Sequence, residues 1–457
     1  MRMRPLIFAL AGLCAFGAQA ATPARDSWRL PIESKTFPNG LTVVVSEDHS
    51  SPTFGMSVVY HVGMRLEPQN RTGFAHLFEH LMFEGTPNAP KGTFDRVIQG
   101  GGGINNGSTR ADFTNYIETA PVSALEPILW LEADRMKTLD FSEKNLKNQQ
   151  EVVKEEIRVN VKNKPYGLFF WTDVIAMAFT KWSNNHDGYG SFEDLDHAQL
   201  NDVEAFHRAY YGPNNAVIGV AGDVKAADVF KLVEKYFAAI PSREKPAKPD
   251  TDEPLNTTEH HAEQTDPLAR VPALAVAWKM PSRGEKDQAA AEVFSQILAG
   301  GDASRLYQGL VKGRELLLNL NGGLNFPLGD AWDYDGRAQF TLFALYKPNA
   351  DAAKVLGAID EEVAKIAKDG VSAEELARTK TELLSNYYSG LQAFISRADQ
   401  IAKAQTIWGD AKVVNQIPDW IEAVQAADVQ RVASTYATTP NRTWIDRKPA
   451  PAAAAKK

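Results

Sequence analysis

Cysteine is nearly absent from these 457 residues; the one thiol is Cys14. It lies in an N-terminal segment of targeting composition: Arg2 and Arg4, an apolar stretch from Leu6 to Phe16, and Ala18-Gln19-Ala20 as a small-x-small cleavage site before Ala21. Residues 1–20 therefore read as a cleaved signal peptide. Leu13 precedes Cys14, where a lipoprotein signal needs a small residue, which argues against lipidation. The mature chain then has no thiol to oxidise and needs no disulfide, which suits a periplasmic or secreted location. Long hydrophobic runs are also missing. Leu6–Phe16 is too short to cross a bilayer, and no other stretch is long and apolar enough, so no integral membrane segment is expected. A basic excess is missing too. The net charge is -8 and the pI about 5.7, which argues against nucleic acid and anionic lipid as partners and mildly favours neutral or basic peptides.

What is present is ordinary globular composition, 44% hydrophobic and 23% charged, on a chain long enough for two domains. Strand-like runs occur at Leu41–Val45, Gly55–Tyr60, Asn215–Val220 and Leu274–Trp278. Helical periodicity covers 72–84, 121–137, 143–163, 286–299, 351–368, 373–392 and 394–408. Residues 241–268, rich in Pro, Lys, Asp, Glu and Thr, have linker composition, and 448–457 is expected to be a disordered tail. A weak repeat marks the ends of both halves. Asp202-Val203, Tyr210 and Asn215 recur at the same spacings as Asp428-Val429, Tyr436 and Asn441. The expected fold class is α+β: two homologous α/β domains at 30–240 and 269–447, each a sheet covered by helices on one face.

The most informative stretch is Phe74-Ala75-His76-Leu77-Phe78-Glu79-His80-Leu81-Met82-Phe83. On a helix, residues four apart share a face, so His76 and His80 can address one ion with Glu79 beside them. The other side chains are apolar, as in a buried helix. Burying two imidazoles and a carboxylate without partners costs several kcal/mol, and a metal ion in a substrate cleft removes that cost. The order His-x-x-Glu-His is the inverted zinc-peptidase pattern. It would supply two ligands and a general base, Glu79, for the attacking water.

A third ligand must come from elsewhere. In the helical run 143–163, Leu146, Val152, Val153, Ile157 and Val159 define an apolar face with Glu156 near its middle. Glu151 and Glu155 fall off that face with Lys154 and Arg158 and read as solvated ion pairs. Glu156 is thus the candidate ligand, and Gln149, on the same face, a candidate outer partner. Gly100–Gly103 reads as a flexible turn; no Lys-Ser/Thr follows it, so a phosphate loop fails.

With these residues the sequence resembles the pitrilysin/insulinase family of zinc metallopeptidases, which includes the mitochondrial processing peptidase. The likeness extends to Thr72–Ala75, Phe83–Thr86, Tyr211–Ala216 with Gly222-Asp223, and Ser304–Tyr307. It implies one zinc per chain, held by His76, His80 and Glu156, and a half clamshell that faces a similar half around a closed chamber. It also implies that a peptide binds as an added strand at the sheet edge formed by Asn106-Gly107-Ser108-Thr109, with Asn106 touching substrate. Main-chain pairing of that kind tolerates varied sequences.

One departure stands out. Active members of that family carry an Arg and, seven residues on, a Tyr in the second domain; the resemblance places Val311 and Leu318 at those positions, and neither can donate a side-chain hydrogen bond. The resemblance therefore implies a zinc-bearing subunit whose partner, a homologous chain, brings the Arg/Tyr pair; a homodimer is the other arrangement. The rival readings are a non-catalytic binding or assembly subunit of the same fold, and a metal-storage or chaperone protein. The intact His76, Glu79, His80 and Glu156 disfavour the first, and one His pair with one Glu is thin for the second. His49, His61, His186, His197, His207, His260 and His261 lack ligand spacing and read as structural or surface groups.

Overall fold

A computed structural model describes residues 28–244 and 247–451. The expected signal peptide, 1–20, and residues 452–457 of the expected tail lie outside the described residues. Strands β1 (Glu33–Thr36), β2 (Thr42–Glu47), β3 (Thr53–Tyr60), β4 (Ile104–Thr109), β5 (Thr114–Pro121) and β6 (Ala216–Gly222) form one sheet, ordered β1-β2-β6-β3-β5-β4. Strands β7 (His260–Asp266), β8 (Ala273–Ser282), β9 (Leu317–Leu324), β10 (Arg337–Tyr346) and β11 (Arg442–Pro449) form a second, ordered β7-β11-β8-β10-β9. The pairs β2/β6 and β7/β11 are parallel, and all others antiparallel. Apart from β1, the two sheets have one topology.

The weak sequence repeat has a physical basis. Helices Leu200–Tyr210 and Ala426–Thr435 each open on a capping box, Gln199 with Asp202 and Gln425 with Asp428. Asn215 Nδ2 then donates to the Tyr210 and His61 carbonyls, and Asn441 Nδ2 to the Tyr436 and Lys279 carbonyls. Each Asn ties the end of its helix to the chain beside the central strand and starts the next strand in register.

Each sheet carries its own half's helices on one face. Val43, Met56, Val58 and Ile218 pack with residues of helices Leu125–Lys137, Leu200–Tyr210 and Ala226–Phe237. In the second half, Val276, Trp278, Phe340 and Leu342 pack with helices Gln288–Ala299, Ala352–Asp369 and Ala426–Thr435. The opposite face of each sheet is closed by a helix from the other half. Helix Phe394–Trp408 lies across β3 and β6, where a Cβ on Gly55 or Gly219 would collide with its backbone at Ile395 or Ala398. Reciprocally, Phe169 and Val174, from the segment around helix Thr172–Ala178, pack on Ala273, Ala275, Ala277 and Ile445. The halves therefore interlock rather than hang on a tether.

Two expectations need correction. The polar segment 241–268 is not all linker: its end is β7, an edge strand with alternating exposure, paired along its length with β11. An edge strand with one solvated face is polar in composition, which hides it from a hydrophobicity reading. The tail begins later than 448, because β11 continues through Lys448 and Pro449 against Thr265 and Asp266.

Candidate metal centre

The motif helix, Phe74–Leu81, starts after Gly73, whose φ of 78° suits glycine. Its N-terminal amides are capped from outside the helix: the buried Glu67 carboxylate accepts from Gly73 N (3.0 Å) and Ala75 N (2.8 Å). A carboxylate here also opposes the positive end of the helix dipole. His186 secures Glu67, its Nε2 3.4 Å from Glu67 Oε2. That ring also has Nε2 2.7 Å from the Met64 carbonyl and Nδ1 2.6 Å from the Trp182 carbonyl. Carbonyls only accept, so both nitrogens donate and His186 is an imidazolium. Burial alone would lower its pKa; the bond to Glu67 and the two carbonyls outweigh that and raise it.

His76 and His80 leave this helix on one face, their Nε2 atoms 3.3 Å apart. Glu156, from helix Glu143–Ile157, brings Oε2 to 3.6 Å from His76 Nε2 and 3.4 Å from His80 Nε2. Bonds of about 2.0–2.1 Å in a tetrahedral zinc site place ligand atoms about 3.3–3.4 Å apart, so this triangle has the edges such an ion requires. It is the one such cluster among the described residues. The His76 ring, then the His80 ring, outweighs burial and holds the Glu156 carboxyl far below its ordinary range, in the ionised form that a metal ligand needs. His76 Nδ1 is buried without a protein partner among the described residues. Packing orients this ring instead, edge-on to Tyr189 with centroids 5.5 Å apart.

Glu79 sits beside the triangle. Its Oε2 accepts from Thr109 Oγ1 at 2.7 Å, and Gly107 lies so close that an added Cβ would come within 3.0 Å of its Cγ. Both neighbours belong to β4, the last strand of its sheet, paired on one side only. Asn106, on the same strand, is exposed and accepts from Gly107 N through Oδ1. Gln149 is buried, but its amide donates to Glu84 Oε1 at 2.5 Å and not to His76, His80 or Glu156. Glu151 and Glu155 pair with Lys154 and Arg158 as expected. The expected apolar face is narrower, however. Val152 and Val159 are exposed, while the Lys154 stem is buried and its ammonium reaches Asp196.

A cavity of about 320 Å³ opens on this centre. Besides His76, Glu79 and Glu156 it is walled by Thr109, Arg110, Trp171, Tyr189, Pro327 and Leu328, among others. Sequence reasoning named Thr109 only as part of the edge motif and missed the rest. Pro327 and Leu328 come from the second half and carry no sequence signal. Val311 and Leu318 are not among the cavity's lining; Leu318 is an exposed β9 residue. A larger cavity, about 910 Å³, is lined by Trp28, Tyr388, Leu391 and Pro418, among others, and has no cluster of ligating groups among the described residues. Arg305, in the run Ser304–Tyr307, forms a two-pronged bond to Glu375 (2.8 and 2.7 Å), a structural role.

Residues 42–178 match the model for insulinase (peptidase family M16), and 197–383 that for the peptidase M16 inactive domain. The zinc protease PqqE of Helicobacter pylori is 28% identical over 91% of this chain and 93% of its own. The probable mitochondrial-processing peptidase subunit beta of Arabidopsis thaliana is 25% identical over 88% of this chain and 75% of its own. A crystal structure of a protease from Helicobacter pylori, 27% identical, superposes with a TM-score of 0.85 over 92% of this chain and all (100%) of that one. The periplasmic protease PqqL from Escherichia coli shares the fold (TM-score 0.73, 16% identity), this chain spanning 48% of its length. Residues 42–178 and 197–383 thus resemble insulinase (M16) family domains, and the chain's relatives include zinc proteases.

Proposed function

We propose that this chain is an exported zinc-dependent endopeptidase that cleaves peptides bound as an added strand on β4, and that it is the zinc-bearing subunit of a heterodimer. The observation that carries the reading is one juxtaposition: three ligating atoms at tetrahedral spacing, with Glu79 beside them and hydrogen-bonded to the open edge strand. His76, His80 and Glu156 would hold the ion. Zinc there supplies a Lewis acid that polarises the scissile carbonyl and lowers the pKa of the attacking water. Glu79 takes that water's proton and passes it to the leaving amine. Thr109 fixes the Glu79 carboxylate, and Gly107 lets the strand lie against it. The main chain of β4 pairs with the substrate backbone, with Asn106 available from the same strand. Trp171, Pro327 and Leu328 wall the cavity beside the reacting bond. Val311 and Leu318 support the heterodimer, since neither stabilises a developing oxyanion.

Metal analysis of the purified chain, with a fluorogenic peptide assay, tests this. Glu79→Gln is expected to keep the zinc and lower kcat about a thousandfold. Normal cleavage by that variant would remove Glu79 as the base. A zinc-loaded chain inert even with a homologous partner carrying the Arg/Tyr pair would identify a non-catalytic assembly subunit. Full activity of the chain alone would refute the heterodimer and leave the chemistry standing.

A further inference from the structure

Arg110 follows the last residue of β4 and lines the cavity at the metal centre. Other arginines nearby are neutralised: Arg65 by Asp112 at 2.7 Å and Arg283 by Asp335 at 2.8 Å. Arg110 has no carboxylate partner among the described residues; its one side-chain hydrogen bond is to its neighbour's carbonyl, Thr109 O, at 3.2 Å. The carboxylates in the cavity are committed elsewhere, Glu79 to Thr109 and Glu156 to the histidines. Half-buried Arg110 is thus left without a counter-charge in a cavity walled in part by the apolar Leu168, Trp171, Pro327 and Leu328. Its fork suits a carboxylate.

A strand advances about 3.3 Å per residue, so a peptide added to β4 sets a side chain or its own terminus against Arg110 close to the scissile bond. We propose that Arg110 binds a substrate carboxylate and makes the enzyme select acidic groups beside the cleaved bond. This deepens the peptidase reading and runs against the chain's net charge of -8, which at a distance disfavours acidic peptides. Screening limits that field to about 8 Å at physiological salt, so the contact cation decides.

The Glu79→Gln chain, which binds without cleaving, provides the test by fluorescence anisotropy. The peptides are matched sets carrying Glu or Gln at each position flanking the cleaved bond, with either an amidated or a free C-terminus. The expected result is about tenfold tighter binding of one acidic form than of its neutral twin, a ratio that Arg110→Gln reduces to about one and Arg110→Lys only in part. A preference confined to internal Glu names a side chain as the source. One confined to the free terminus names the chain end and an end-trimming enzyme. A ratio near one with Arg110 present, or a ratio unmoved by Arg110→Gln, overturns the proposal. The parent chain, alone and together with a homologous partner carrying the Arg/Tyr pair, is assayed for cleavage of the same peptides, and cleavage in either setting counts. Charge-selective binding without cleavage would sink the peptidase reading alone, and cleavage without selectivity would sink only the role of Arg110.

Discussion

The two sheets present the same edge and only one of them presents chemistry. Asn106-Gly107 in β4 stands opposite Ile117 and Tyr116 of β5; Asn321-Gly322 in β9 stands opposite Phe343 and Leu342 of β10. Behind each edge lies a helix, Phe74–Leu81 or Gln288–Ala299, and on each packs another, Glu143–Ile157 or Ala373–Gly390. At Gly107 the close neighbour is Glu79; at Gly322 it is the Thr341 carbonyl, with Leu342 and Ala299 next. An open edge with an Asn-Gly pair is therefore frame, not site. Imidazoles and carboxylates on the first pair of helices make that frame the candidate metal centre, whereas the Gln288–Ala299 helix meets its edge through the methyl of Ala299.

The sharpest test of that contrast is metal removal. A dication bound to the folded first half adds about 4 kcal/mol when free metal is a thousandfold above its Kd. Chelation is expected to abolish cleavage and speed amide exchange in Phe74–Leu81 and Glu143–Ile157, leaving Gln288–Ala299 and Ala373–Gly390 unchanged. Equal loosening of both halves would break the comparison. Glu156→Ala should reproduce the chelated state without chelator.

The second test concerns what the halves share. Asn441 is fully buried and its amide spans 2.8 and 2.7 Å to two carbonyls, while Asn215 is half-buried with bonds of 3.2 and 2.9 Å. Asn441→Ala should cost about 3 kcal/mol and Asn215→Ala about 1–2 kcal/mol in urea unfolding. Equal costs would mean the two tethers do not follow burial.

These same residues show what the sequence discloses. The helix periods, the His-x-x-Glu-His stripe and the Asp/Tyr/Asn repeat are local patterns, so they are legible in the order of residues alone. Glu156 is legible because a carboxylate among apolar neighbours costs free energy unless something compensates it. β7 is not, because its composition matches a solvated loop and only pairing with β11 makes it a strand. Pro327, Leu328 and Tyr189 are not, because they reach the cavity from segments far along the chain. That helices Phe394–Trp408 and Thr172–Ala178 each cover the other half's sheet is written in no local period.

Glycine substitutions separate frame from chemistry at smaller scale. A Cβ at residue 107 would meet Glu79 Cγ at 3.0 Å and Oε1 at 3.1 Å, the end of a flexible side chain. Gly107→Ala should shift that carboxylate, lowering kcat about tenfold with little loss of stability. A Cβ at residue 322 would meet the Thr341 carbonyl oxygen at 2.9 Å, which cannot yield freely. Gly322→Ala should cost about 1–2 kcal/mol of stability and leave kcat alone. The opposite pattern would place Glu79 outside the chemistry.

The smallest expected effect is a pH dependence, and it also divides the halves. The motif helix is anchored through Glu67 and the His186 imidazolium; the matching helix in the second half is anchored by Asp287, which accepts from Arg431 Nε at 3.0 Å and Nη2 at 2.6 Å. Arginine keeps its proton at any accessible pH. His186, raised above its ordinary 6.5, keeps its proton in the folded chain to higher pH than in the unfolded one. Its stabilising contribution is complete below pH 6.5 and is lost as pH climbs through the folded value. The stability difference between the parent chain and His186→Gln should therefore be largest near pH 6 and shrink toward pH 9. Arg431→Gln should give a difference that stays flat over that range. A flat profile for His186→Gln as well would mean the ring is neutral, and one of its two carbonyl contacts would then lack a proton to share.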